Sequence, residues 1–265
     1  MVKSRIHKIY YDELSLSKIE DQFIALDNTK GSNEWYEFLP ILRYLYNNEL
    51  DENTFYGFLS PSFSEKTGVS TDLLLKIVQE SGDHDAILFT PHWDQLVYFA
   101  NPFDQGVIFH KGLFEYSKAF LKFTGRDIDL DNFVATSVDS CFSNYIIAKK
   151  EYWLAWKKIA IEFFNYCELS NADLGSLKTD YSGSKTTHMK VFIQERLSAI
   201  VLYENKLKCR SVMDQCISSH IFDNTEKNFS LLQECDYLKR VYRYENCDSA
   251  LKKYIDVRSK VSLAI

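Results

Sequence analysis

Asp94 is a lone carboxylate just beyond the apolar run Ala86 to Phe89, flanked by Trp93 and Gln95 and close to His92. Such surroundings suit a sugar. The carboxylate can accept hydroxyl protons, act as general base on an attacking hydroxyl, or merely orient a sugar. As an Asp ahead of a helical segment it can also be an ordinary N-cap. Trp93 and Gln95 are candidates for holding an acceptor, as are Asp104 and Gln105 in a second polar cluster that ends at His110. His110 can serve as a base, contact a phosphate, or be a hydrogen-bonded structural histidine.

Glu195, in Gln194-Glu195-Arg196-Leu197, lies about one helical turn from Val191 and about two from His188. Its carboxylate can reach a cleft or pair on the surface. Lys66 follows the strand-like run Thr54 to Leu59 and the Ser60-Pro61 break. There it can place a charge on a diphosphate, with Ser60 or Ser64 donating hydrogen bonds, or remain a solvated loop lysine. Tyr10, Tyr11, Asp27 and Asn28 end two further apolar runs, where rings, a carboxylate and an amide suit a base and a ribose, or where the two tyrosines are ordinary core or strand-edge residues. Asn144 precedes the run Tyr145 to Ala148 and is an acceptor candidate, whereas Trp153 and Trp156 share a helical face and read as core.

Two hard carboxylates on the same side of a loop after a strand can bind a divalent ion. Asp83-His84-Asp85 precedes its strand, and Asp127-Ile128-Asp129 and Asp129-Leu130-Asp131 follow Thr124-Gly125-Arg126 in a turn-like segment. No metal site and no resident cofactor are expected.

The elements that must position these residues alternate. Strand patterns at Ile6 to Tyr11, Phe23 to Leu26, Thr54 to Leu59, Ala86 to Phe89 and Tyr145 to Ala148 are separated by helical spacings. The helices are expected from Glu34 to about Asn47, from a Ser70 cap to Gln79, over Leu113 to Phe123, over Glu151 to Cys167, and over Lys190 to Tyr203. Val107 to Phe109 reads as extended, Phe133 to Val138 as strand or turn, and Ser170 to Gly183 as a polar loop able to order over a ligand. This alternation predicts an α/β sheet flanked by helices, with a helical tail from about Val212. In such a sheet the strand ends beyond the carboxyl edge hold the ligand.

Composition removes several alternatives. The nine glycines form neither G-x-G-x-x-G nor G-x-x-x-x-G-K, and G-x-S-x-G and H-E-x-x-H are also missing. A formal charge of −6 is the wrong sign for a nucleic-acid partner, and none is expected. Six cysteines without a C-x-x-C pair read as reduced thiols. The start MVKSRIHKIYYDE turns polar too early for a signal peptide, and no apolar run approaches a membrane span, so a cytoplasmic location is expected.

Several segments together resemble small glycosyltransferase-like proteins encoded among bacterial capsule and lipopolysaccharide genes. They are IHKIYYDE with LDN, NEWYEFLPI, FYGFLSPSFSEKTG, the stretch from FTPHWDQ to FDQGVIFHKG, SNYIIAKKEYW and HMKVFIQERLSAI. The last two also resemble the N-x-F-I-x-K-K-x-x-W and E-R-L segments of bacterial sugar transferases with a GT-A-like nucleotide-sugar fold, with Ile146 in place of the aromatic residue. The resemblance implies a GT-A-like, Rossmann-like catalytic domain over 1–211 and a helical extension over 212–265. It also implies transfer of a sugar from a nucleotide-sugar donor to an oligosaccharide or lipid-linked acceptor of a surface polysaccharide, with a functional glutamate at Glu195. The alternative is an inactive nucleotide- or sugar-binding assembly protein. The extension carries Lys239, Arg240, Arg243, Lys252, Lys253, Arg258 and Lys260, so contact with the inner face of an anionic membrane is a further expectation.

Overall fold

The computed structural model describes residues 2–31, 34–169, 174, 177–182, 185–213 and 221–264. In chain order the elements are β1 (Lys3–Tyr10), α1 (Glu13–Leu16), β2 (Ile24–Asp27), α2 (Phe38–Asn47), β3 (Thr54–Leu59), α3 (Phe63–Thr67) and α4 (Thr71–Glu80). Then follow β4 (Ala86–Phe89), α5 (Trp93–Tyr98), α6 (Pro102–Phe109), α7 (Leu113–Phe123), β5 (Ile146–Ala148) and α8 (Lys150–Glu168). The chain closes with β6 (Lys178–Ser182), β7 (Lys185–His188), α9 (Met189–Gln194), α10 (Leu197–Glu204), β8 (Cys209–Val212), α11 (Glu226–Glu245) and α12 (Asp248–Arg258).

The fold is α/β. Six strands form one mixed sheet in the order β2-β1-β3-β5-β4-β8. β1 runs parallel to β2 and β3, β4 runs parallel to β8, and β5 is antiparallel to both its neighbours. The carboxyl ends of β1, β2, β3, β4 and β8 therefore share one edge with the amino end of β5. β3, β4 and β5 are buried along their whole length, as continuous apolar runs covered on both faces must be. Gly57 sits in β3 where a Cβ would stand 2.9 Å from Ile147 Cγ1 and 3.2 Å from Ile6 Cγ2, so the two neighbouring strands close over it.

Most of the expected elements form, and the differences have local causes. Val107 to Phe109 is helical, as part of α6, because Asn101 Oδ1 accepts from Phe103 N (2.8 Å) and Asp104 N (2.9 Å) and Pro102 opens the helix. α2 starts four residues later than its spacing suggests, since Tyr36 takes a left-handed backbone (φ 41°). Lys190 to Tyr203 is two helices. Within the polar stretch Ser170 to Gly183, β6 pairs with β7, and 170–173, 175–176 and 183 lie outside the described residues. β8, which no pattern announced, forms one edge of the sheet.

α11 and α12 pack on each other and on α5. Trp93, Val97 and Phe99 meet Phe222, Leu232 and Val261 in a small second core. Lys239 is wholly buried and donates to the last carbonyls of α5, Leu96 O (2.8 Å) and Phe99 O (2.5 Å), a cation on the negative end of a helix. The other basic residues of this segment also face inward or pair locally: Arg258 with Asp104 (2.8 Å), Arg243 with Asp139 (3.5 Å), Arg240 with Asp236, Lys253 with Glu234, and Lys260 with Asp256. Six of the seven lysines and arginines that suggested membrane contact thus hold a partner within the chain. No described helix is long and apolar enough to cross a membrane. Cys141, Cys167, Cys209, Cys235 and Cys247 are free thiols, and Cys216 lies outside the described residues.

Candidate functional site

At the carboxyl edge, between β3 and the amino end of β5, the chain encloses a cleft of about 150 Å³. Three chain-distant segments supply residues expected there: Ser60 and Lys66 after β3, Asn144 before β5, and Glu195 after α9. Ser60 Oγ and Tyr145 Oη lie 3.0 Å apart, and burial raises the Tyr145 phenol despite the Lys66 charge nearby. Tyr36 and Ser143 (φ 57°) also line the cleft, both in the left-handed region that side chains with a Cβ avoid. Residues held in this sparsely populated region cluster at functional sites, and two of them line this cleft.

Glu195 sits at the break between α9 and α10 rather than within a helix. The break is held by Arg196, whose buried guanidinium donates to Phe192 O (2.6 Å), Pro102 O (2.7 Å) and Gln105 Oε1. The Glu195 carboxyl is crowded by protein, and desolvation pushes it up to about 7; Arg196 and Lys66 oppose that rise and Glu37 adds to it. Glu37, also in the wall, was hidden by the spacing that places it inside a helix. Tyr11 lies behind it, its phenol raised by burial and by the Glu37 carboxylate.

A polar joint holds the segment that carries Tyr36 and Glu37. Lys190 Nζ, buried on α9, reaches Glu168 (2.9 Å) and Glu34 (3.2 Å) and lies 4.5 Å from the Trp35 ring centroid. Gln194 Nε2 donates to Trp35 O (3.3 Å), and Asn28 Nδ2 donates to Tyr36 O (3.0 Å). Asn28, expected beside a bound base or ribose, instead carries the Tyr36 turn, and like Tyr10, Tyr11 and Asp27 it does not line the cleft. Asp27 accepts from Thr29 N (2.7 Å), which holds its carboxyl below the usual range, and Tyr10 ends β1 beside it.

The other candidates lie elsewhere. Trp93 and Asp94 line a second cleft of about 370 Å³ against Phe222 and the start of α11, not the cleft of Lys66 and Glu195. Asp94 is in the first turn of α5, whose N-cap is His92, and its Oδ1 accepts from Gln95 N (2.8 Å). Gln95 Oε1 accepts from Gln105 Nε2 (2.9 Å), and Gln105 in turn holds Arg196, so both amides belong to the framework. Asp104 accepts from Ala100 N (2.9 Å) and pairs with Arg258. His110 is buried with its ring stacked on Phe192 at 3.5 Å between centroids, and it lines neither cleft.

Most carboxylates of the D-x-D pairs hold partners within the chain. Asp83 pairs with Lys208 (2.5 Å) and Asp85 Oδ2 accepts from Lys208 N (2.8 Å), both at the amino edge of β4. Asp129 caps its own turn through Asp131 N (3.0 Å) and Asn132 Nδ2 (2.6 Å), and Asp131 pairs with Lys118. Tyr145 and Gln194, each next to a candidate residue in sequence, also line the cleft, as do Tyr36, Phe58, Ser62 and Val191; only adjacency signals the first two. With an ammonium at its exposed mouth and a carboxyl raised toward neutrality inside, the cleft can bind an anion at one end and move a proton at the other. No protein-family model, curated protein or solved structure matches the chain.

Proposed function

We propose that the protein is a glycosyltransferase of GT-A-like fold, moving one sugar from a nucleotide-sugar donor to an oligosaccharide or lipid-linked acceptor of a bacterial surface polysaccharide. The supporting observation is that Ser60, Lys66, Asn144 and Glu195, from three separate segments, meet in one cleft at the carboxyl edge of the sheet. Lys66 sets its charge on the leaving diphosphate and the donor sugar lies inward of it. The acceptor hydroxyl oxygen bonds to the anomeric carbon, the bond from that carbon to the diphosphate oxygen breaks, and Glu195 takes the hydroxyl proton. Asp94 has no part in this step, since it lines the other cleft.

The test is hydrolysis of a panel of nucleotide sugars by the purified protein, with Glu195→Gln as the control. Turnover of at least one donor, lost in the variant, is the expected result. Tight nucleotide binding without any turnover would make this a binding protein, and neither binding nor turnover would refute the reading. Activity should survive excess EDTA, because Lys66 compensates the leaving charge. Loss with chelator, restored by manganese or magnesium, would overturn that assignment.

A further inference from the structure

The cleft is small, and two of its buried acceptors are without a hydrogen bond. At about 150 Å³ it falls below the roughly 300–1,000 Å³ that encloses a drug-sized ligand, so it holds one ring and not a whole nucleotide sugar. Lys66 is exposed, whereas Ser60, Asn144 and Gln194 are buried, which sets the ammonium at the mouth and the oxygens inside. Ser60 and Tyr145 hydroxyls are bonded to each other. Gln194 spends its amide N–H on Trp35 O, which fixes the amide's orientation and leaves Oε1 buried without a hydrogen bond. Asn144 Oδ1 is buried in the same condition. Glu37 and Glu195 add two carboxyls, and the hydroxyls of Ser62 and Ser143 and the Tyr36 ring complete the wall.

The nearby cations are committed elsewhere. Arg196 donates to Phe192 O, Pro102 O and Gln105 Oε1, and Lys190 is held by Glu34 and Glu168. Once a diphosphate takes Lys66, the interior holds two carboxyls and no other cation, with two buried amide oxygens lacking a hydrogen bond beside the Asn144 amide N–H and the serine and tyrosine hydroxyls. A hydroxyl or ammonium group supplies the protons these oxygens lack, whereas a carboxylate meets like charge and no donor cation.

Resting on the glycosyltransferase reading, we propose that the cleft is the subsite for a single pyranose whose substituents are hydrogen donors, hydroxyl or amino, and that it rejects hexuronic acids. Discrimination comes from Glu37 and Glu195 together.

The experiment compares donors in pairs that share a nucleotide, so that base preference cancels. UDP-glucose is set against UDP-glucuronate, UDP-galactose against UDP-galacturonate, and GDP-mannose against GDP-mannuronate, with UDP-glucosamine as an added arm. Hydrolysis and competitive binding are both measured. In any pair that the protein accepts, the neutral member should be favoured at least about tenfold, a modest share of what like-charge juxtaposition costs. Glu37→Gln should narrow that ratio. The ratio in the unaltered protein stands as a test even if the variant folds poorly. Equal or better use of a uronate overturns the specificity and leaves the glycosyltransferase reading intact. A preference that Glu37→Gln leaves unchanged overturns its charge origin. Failure of every nucleotide sugar, neutral or acidic, to bind or react overturns the reading itself and this inference with it.

Discussion

Replacing Glu195 by Gln tests the site through stability and activity at once. In the folded chain the carboxyl is pushed from an ordinary 4.5 up to about 7, chiefly by desolvation. Taken whole, that rise is worth about 3 kcal/mol, and the residue's partial opening onto the cleft reduces it to about 1–2 kcal/mol. Because the folded state holds a proton that the unfolded state has released, stability falls as pH rises from 4.5 to 7 and is level above. Glutamine has no charge to bury, so the variant should match the native protein below pH 4.5. By pH 8 it should be the more stable by about 1–2 kcal/mol, or about 2–8 °C in Tm for a chain of this size. Thermal unfolding of both proteins from pH 4.5 to 8 gives the difference directly and cancels every other titrating group. On the activity side, the proposed role of Glu195 as base predicts that kcat/KM of the native protein climbs through pH 7 as the carboxyl ionises and that the variant loses about 10²–10⁴-fold. A Tm difference independent of pH would refute the buried carboxyl, and a native profile flat between pH 6 and 8 would refute its role as base.

Lys66→Ala should weaken nucleoside diphosphate binding by about 10–100-fold, the scale of one hydrogen bond to a charged group, read by calorimetric titration. Lys190→Met should cost about 2 kcal/mol in urea unfolding, below the roughly 3–5 kcal/mol of a fully buried pair, because Glu34 and Glu168 are 53% and 38% exposed. Gly57→Ala should cost about 1–3 kcal/mol by overpacking β3 against Ile147 and Ile6, and an unchanged midpoint would show that the strands have room to part.

Local pattern determined much of this protein. The apolar runs of β3 and β4 and the helix of Leu113–Phe123 form over the residues their periodicity marks, because burial on both sheet faces or along one helix face writes a repeat directly into the chain. Ser70 caps α4 through Leu73 N as a side chain three residues away can. The residues after β3, before β5 and in the E-R-L segment were legible one at a time as polar groups beside apolar elements.

Their grouping was not. Whether Glu195 or Asp94 shares a cleft with Lys66 depends on the strand order β3-β5-β4 and on Arg196 holding the break at Glu195, and both are settled by contacts roughly 60 to 90 residues apart in sequence. Glu37 looked like one more helical position until the left-handed turn at Tyr36, held by Asn28 and steadied by Lys190 and Gln194 through Trp35, brought it to the wall. The basic tail likewise reads as a charged surface in one dimension, but Lys239 and Arg258 are drawn inward by carbonyls and a carboxylate of α5 and α6. Periodicity reports which side of an element is buried, whereas the partner of each polar group is chosen by tertiary packing, which leaves no repeat in the sequence.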